Sequence, residues 1–258
     1  MRRTRHGPRC GRKSHAASHA VLTLAAPASW GRHSRGMQVP QRRTALGVVA
    51  AATLTTAGAL SAPAPTHAAW QENVRVVSPD RTWQVARSGG VWLYGDSITA
   101  SDAPDLAVSL RRRNLVLAWD ATPGIPTEPA VDRLVDRLHE SRPPSRLVMA
   151  LGTNDSDARL VTSQVERVMH AVPATTRVYW VNTWKARWLV TGADSDRRAA
   201  AAVNAALTRA DRRHRNLELV DWAGTVAATP RRYLRDGVHT LPAGRSVRNA
   251  LIADALTH

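Results

Sequence analysis

Four short stretches carry residue types that perform acyl chemistry when a fold brings them together. Val91-Trp92-Leu93-Tyr94-Gly95-Asp96-Ser97 is an apolar run ending in a glycine and a serine, with a helix-like segment behind it. A serine at the C-terminal end of a parallel strand is presented to the crevice where open α/β sheets bind ligands. Leu151-Gly152-Thr153-Asn154-Asp155 follows a later apolar run, and an Asn there can donate its NH₂ group into the same crevice. Asp236-Gly237-Val238-His239 sets a carboxylate three residues before an imidazole. In a tight turn that carboxylate can hydrogen-bond Nδ1, leaving the other ring nitrogen to take a proton from a serine. Gly124, in a Pro/Gly loop, can bring its backbone N–H close to a ligand because it has no side chain.

Each stretch also has a plain structural reading. Ser97 can cap the helix after it and Asn154 the next one. His239 can be a surface histidine, and Asp236-Gly237 only a turn. Taken together, the four supply a nucleophile, a base, its orienter and two oxyanion donors at loop positions.

The elements that must position them alternate. Residues 70–88 read as an irregular arm, and Val91–Tyr94 as the first strand. Ala103–Arg113 follows as a helix with Asp102 as its cap. Leu115–Trp119 is the second strand, and Asp120–Thr127 the Pro/Gly loop. Pro129–Glu140 repeats Val131, Leu134, Val135 and Leu138 at helical spacing. Arg146–Leu151 is almost continuously apolar, as a strand covered on both faces should be. Ser156–Val172 is a helix, Arg177–Val181 a strand, Asp194–Arg213 an Ala-rich helix, Leu217–Val220 the fifth strand and Pro242–Leu256 the last helix. This alternation predicts a parallel sheet wrapped by helices.

Composition narrows the function classes. The 258 residues are 43% hydrophobic and 22% charged, which is globular rather than disordered. The formal charge of +16 is uneven. Residues 1–68 hold ten Arg/Lys and no Asp or Glu, leaving +6 on residues 69–258. The basicity therefore describes mainly a leader, and the remainder carries no nucleic-acid motif. A charge of this size favours association with an anionic cell wall. Residues 1–36 read as a disordered or upstream extension. Residues 37–68, with Arg42-Arg43, an Ala/Leu/Val/Thr run and Thr66-His67-Ala68, read as a signal peptide cleaved near Ala68. This predicts a secreted protein. Residues 69–89 form the arm, and 90–258 one enzyme domain. The one cysteine, Cys10, lies in the leader, so Cys-based zinc sites are excluded.

From Val91 to Leu256 the chain resembles the SGNH, or GDSL, hydrolases. Gly95-Asp96-Ser97 looks like the nucleophile block, Gly124 the glycine block, Gly152-Thr153-Asn154-Asp155 the asparagine block and Asp236-Gly237-Val238-His239 the Asp-x-x-His block. Asp120-Ala121-Thr122-Pro123-Gly124-Ile125 departs from the usual Asn- and Gly-rich form, and Ile98 stands where the GDSL name has Leu. A softer similarity joins Val181-Asn182-Thr183, Asn204 and Leu219-Val220-Asp221-Trp222 to SGNH domains attached to membrane acyltransferases that O-acetylate cell-wall glycans. The resemblance implies a three-layer α/β/α sandwich with a five-stranded, mainly parallel, flavodoxin-like sheet. It implies a monomeric serine esterase that needs no metal or organic cofactor. Ser97, Asp236 and His239 would be catalytic. The Ser97 and Gly124 amides and Asn154 would form the oxyanion hole. The substrate would be a short-chain or acetyl ester, on carbohydrate. The alternatives are an O-acetyltransferase or a silent carbohydrate-binding module on the same fold.

The chain has nine Trp and no Phe, so Trp must supply the large aromatic packing. Trp92, Trp119 and Trp180, inside strands, are expected in the core. Trp184 and Trp188, after the fourth strand, are candidates to line the substrate crevice.

Overall fold

The computed structural model describes residues 79–189 and 193–258. The readings of residues 1–78 as extension, signal peptide and the start of an arm lie outside the described residues. Strands β1 (Val91–Gly95), β2 (Leu117–Ala121), β3 (Arg146–Ala150), β4 (Arg177–Val181) and β5 (Leu217–Val220) form one sheet in the order β2-β1-β3-β4-β5. Every pairing is parallel. This is the doubly wound order whose ligand crevice opens beyond the strand C-termini, where β1 and β3 send the chain to opposite sides.

Strand residues alternate between two cores. Trp92, Tyr94, Leu147, Met149, Val178 and Trp180 point into one cluster. There they meet α3 (Thr127–Glu140), α4 (Ala158–Ala171) and α5 (Ala193–Arg213). Val91, Leu93, Val148, Ala150, Tyr179 and Val181 point into the other, against α2 (Ser97–Arg111) and α8 (Pro242–Ala255). The outcome is a three-layer α/β/α sandwich. Two buried indoles also satisfy their polar edge: Trp92 Nε1 donates to the Thr82 carbonyl at 3.0 Å and Trp180 Nε1 to that of Leu151 at 3.1 Å.

Several sequence expectations need correction. The segment expected to be an irregular arm contains α1 (Pro79–Arg87), which buries Val85 and Ala86 against the sheet. Helix α2 begins at Ser97, six residues before the expected start, and Asp102 lies inside it rather than at its cap. The reason is local: Asp96 is the N-cap, its carboxylate accepting the Ile98 N–H at 2.9 Å. Pro104 sits within the helix. Strand β2 runs two residues later than expected and takes in Asp120 and Ala121 from the supposed loop. Two short helices, α6 (Trp222–Ala227) and α7 (Pro230–Tyr233), fill the stretch before the Asp236 turn.

Helix α3 is started from a distance. Its N-cap, Pro126, offers no side-chain acceptor. The buried carboxylate of Asp155, after β3, takes its place, accepting the Thr127 N–H at 3.1 Å and the Thr127 hydroxyl at 2.6 Å. The loop after β2 is thereby tied to the loop after β3. Asp155→Ala should strand both Thr127 donors in a buried site and lower unfolding stability by about 1–3 kcal/mol. Urea denaturation of both proteins checks this; equal midpoints would show that α3 is held by other contacts.

Candidate functional site

Ser97 occupies the first position of α2, where a backbone N–H has no acceptor within the helix. Two residues earlier, Gly95 pairs with Ala121 of β2 and Ala150 of β3. The serine therefore emerges between the loop that carries Gly124 and the loop that carries Asn154. Its Oγ lies 3.0 Å from His239 Nε2. On the other side of the ring, Nδ1 lies 2.7 Å from Asp236 Oδ2. An ionised carboxylate only accepts, so Nδ1 carries the proton and Nε2 presents its lone pair to the serine hydroxyl.

Asp236 also builds the turn that holds the imidazole. Its Oδ1 accepts the amides of Val238 at 3.0 Å and His239 at 2.8 Å. Partial burial works to raise the Asp236 pKa. The His239 amide, the imidazole and the Val238 amide outweigh it and hold the carboxyl below its ordinary value. Gly237 is required between them. Its φ is +93°, and a Cβ there would stand 1.9 Å from the Ala186 carbonyl oxygen and 2.9 Å from the Trp188 ring. The Ala186 N–H donates to the Gly237 carbonyl at 3.0 Å, docking the turn against the loop after β4.

The two other sequence candidates meet each other. Asn154 Nδ2 donates to the Ile125 carbonyl at 3.0 Å, and Gly124 is the residue before Ile125. One N–H of that amide is used here, and a second remains. Gly124 is exposed with φ +80°. Asn154 does not cap the following helix; Asp157 does, accepting the Arg159 N–H. The structure thus assembles Ser97, His239 and Asp236 into one hydrogen-bonded chain, with Gly124 and Asn154 on the flanking loops.

Trp184 and Trp188 are half-buried in the loop after β4 and pack against the α2/α8 core. The Arg231 guanidinium covers the Trp188 ring at 4.9 Å. Residues singled out for the softer similarity prove to build this loop. Asn204 brackets Thr183 like a strand partner, accepting its N–H at 2.9 Å and donating to its carbonyl at 2.8 Å. Asn182 donates to Asp221, the cap of α6, and accepts the Ala223 N–H. Buried Asp196 then clamps Arg187 through its backbone N–H and both sides of its guanidinium. Trp92 and Trp180 are wholly buried as expected. Trp119 is not core: on the edge strand it lines a groove of about 590 Å³ with Pro104, Ala107, Arg111 and Leu115. Among the described residues no group of three or more His, Cys, Asp or Glu is arranged to hold a metal ion.

Sequence reasoning passed over Thr240 and Arg248, and took Asp102 for a cap, although the fold gathers all three behind His239. The available signal was spacing. Asp102 falls on the same helical face as Ile98, Thr99, Leu106 and Leu110, and Arg248 on that of Gly244 and Ile252.

No family model and no curated protein matches this chain. Solved structures do. The C-terminal catalytic domain of peptidoglycan O-acetyltransferase A from Streptococcus pneumoniae, solved with a methylsulfonyl adduct, matches with a TM-score of 0.55 at 18% identity, covering 65% of this chain and 92% of that one. A lipase/acylhydrolase from Enterococcus faecalis matches with a TM-score of 0.56 at 19% identity, over 65% and 94% of the two chains. A member of the lipolytic G-D-S-L family from Veillonella parvula matches with a TM-score of 0.56 at 16% identity, over 66% and 98%. The chain has the fold of the SGNH/GDSL hydrolases.

The lowered pKa of Asp236 has a stability consequence with a definite sign. A carboxyl whose folded pKa lies below its unfolded value stabilises the fold above the unfolded value, and that contribution is lost as pH falls through the folded one. Asp236→Asn should be less stable than wild type at pH 7, and the gap should close below about pH 4. Urea midpoints measured at pH 7 and pH 3 test this. A gap of constant size would mean that the carboxylate charge adds nothing to the turn.

Proposed function

We propose that this chain is a secreted serine esterase of the SGNH/GDSL type, which hydrolyses a short-chain, acetyl-class carboxylic ester on carbohydrate through an acyl-enzyme. The observation that carries the reading is the hydrogen-bonded chain from Ser97 Oγ to His239 Nε2, and from His239 Nδ1 to Asp236, at the mouth of an α/β sheet.

The chemistry follows from the geometry. Ser97 Oγ attacks the ester carbonyl carbon as its proton passes to His239 Nε2. Asp236 holds the ring in the productive tautomer and stabilises the imidazolium. The Ser97 N–H, the Gly124 N–H and the free N–H of Asn154 receive the charge that develops on the carbonyl oxygen, and the α2 N-terminus adds its positive end. The tetrahedral adduct collapses, the C–O bond to the alcohol breaks, and His239 returns the proton to that leaving oxygen. Water then attacks the acyl-enzyme with His239 again taking a proton, the acid departs, and Ser97 regains its hydrogen.

O-acetyl transfer is the second reading, because a sugar hydroxyl in place of water at the last step would complete it. The half-buried Trp184 and Trp188, the second of them beside the Gly237 turn, are suited to stacking on a sugar face in either case. Export rests on the signal-like residues 37–68, and the mild positive charge of the remainder suits an anionic cell wall.

A panel of p-nitrophenyl esters of increasing acyl length, with and without a glycan acceptor, tests the reading. Acetate should be turned over best. Ser97→Ala and His239→Ala should lose roughly 10⁴-fold or more in kcat, Asn154→Ala about 10²–10³-fold, and Asp236→Asn less than His239→Ala. Near-wild-type turnover by Ser97→Ala would end the proposal. Acceptor-dependent product would favour transfer.

A further inference from the structure

Asp102 is a carboxylate in the middle of α2, 1% exposed, and the mechanism above gives it no task. Its Oδ1 accepts the Thr240 hydroxyl at 2.8 Å, the Ser101 hydroxyl at 2.7 Å and Arg245 Nε at 3.2 Å. Its Oδ2 lies 3.6 Å from Nη1 of Arg248, a guanidinium likewise buried. Thr240 is the residue that follows His239. The same carboxylate therefore joins the chain beside the imidazole to the helix that begins at the serine, about 7.5 Å along its axis from Ser97.

Besides the Asp236 carboxylate, backbone bonds hold the other side of the His239 segment. The Arg235 N–H donates to the His239 carbonyl at 2.8 Å, and Leu241 N–H to the Tyr233 carbonyl at 2.8 Å, with Leu234 and Thr240 forming an antiparallel bridge. Those bonds fix the segment to its own neighbours, including the short helix α7. Apart from the Ser97–His239 contact itself, the Thr240 hydroxyl is the one among these bonds that reaches α2. Arg248 extends the link: besides Asp102, it faces Asp96, the residue before Ser97, and its Nη2 approaches Thr99 Oγ1 at 3.4 Å.

Resting on the assignment of Ser97 as nucleophile and His239 as base, we propose that Asp102 is a positioning residue, which sets the imidazole against the serine hydroxyl through Thr240. A proton transfer over 3.0 Å tolerates little drift, and a displacement of about 1 Å can cost on the order of 10²-fold in rate. Binding of the ester does not depend on this link, so its loss should appear in kcat.

The test uses Thr240→Val, which is close in shape but has no hydroxyl, with Thr240→Ser as the conservative rescue and Asp102→Asn as the second site. Two readouts are taken on the full chain: kcat and KM for p-nitrophenyl acetate, and the downfield proton resonance of the His239 Nδ1–H that bridges to Asp236. Thr240→Val should lose roughly 10- to 100-fold in kcat with KM within about twofold, and its bridging resonance should broaden or vanish. Thr240→Ser should restore both. Wild-type kcat in Thr240→Val, a loss in KM alone, or failure of Thr240→Ser to rescue would overturn the proposal. Ser97→Ala run in parallel separates the two readings: if it stays active, the nucleophile assignment fails. The resonance then decides positioning by itself, an unchanged signal in Thr240→Val overturning it.

Discussion

The 3.0 Å contact between Ser97 Oγ and His239 Nε2 joins residues 142 positions apart in the chain. No local rule can create it. It requires β1 to be placed between β2 and β3, so that the serine surfaces between the loops that follow them, and it requires α8 to pack against α2, so that the segment before α8 arrives over the start of α2. Each requirement is met by apolar surface that does no chemistry: Leu106 and Leu110 on α2, Ile252 and Ala253 on α8, and the alternate faces of the strands. The hydrophobic layers set the approach to within side-chain reach, and directional hydrogen bonds take up the rest.

Those directional bonds are costly to place. Asp96, Asp102 and Arg248 are all buried, and taking charges out of water is repaid only with good geometry. Burial pushes Asp96 above the usual carboxylate range, against the pull of Arg248 and the Ile98 amide. Burial likewise pulls Arg248 down from the usual guanidinium value, against Asp102 and Asp96. Replacing buried ion pairs by apolar residues of the same volume is often neutral or stabilising. What a charged set adds is register, since its ion pairs form only where the two helices bring Asp102 opposite Arg245 and Arg248. Register is what an imidazole one residue from that contact needs.

The sequence was legible where chemistry is local. Asp236-Gly237-Val238-His239 is a single turn, and its three-residue spacing puts the carboxylate within reach of the ring. Strands β3, β4 and β5 were legible from their apolar runs. The start of α2 was not, because the cap was placed at Asp102 and not at Asp96, which hid Asp102 as a terminal residue instead of a core one. Trp119 was misplaced for a different reason: alternation says that a strand residue faces a helix layer, but β2 is the edge strand, and its cover is incomplete. Arg248 is hidden in principle. A buried arginine has no signature in one sequence beyond its place on an apolar face, and this chain has many arginines on solvent faces.

The softer similarity to glycan O-acetylating domains takes a physical meaning from the same structure. Asn182, Thr183, Asn204 and Asp221 are occupied with one another and with backbone, and what they secure is the loop carrying Trp184 and Trp188. Asp196 fixes the far part of the loop through Arg187, and the Ala186–Gly237 bond fixes it to the turn of the candidate base. Their polar groups are therefore committed to holding the loop. They secure the loop that carries two indoles, and the Gly237 turn meets that loop at Ala186 and Trp188. Arg231, stacked on Trp188, makes the surface those indoles present cationic at its rim. Any preference for a glycan acceptor would be written there, in stacking and charge, and not in the Ser-His-Asp chain, which would be the same for both outcomes.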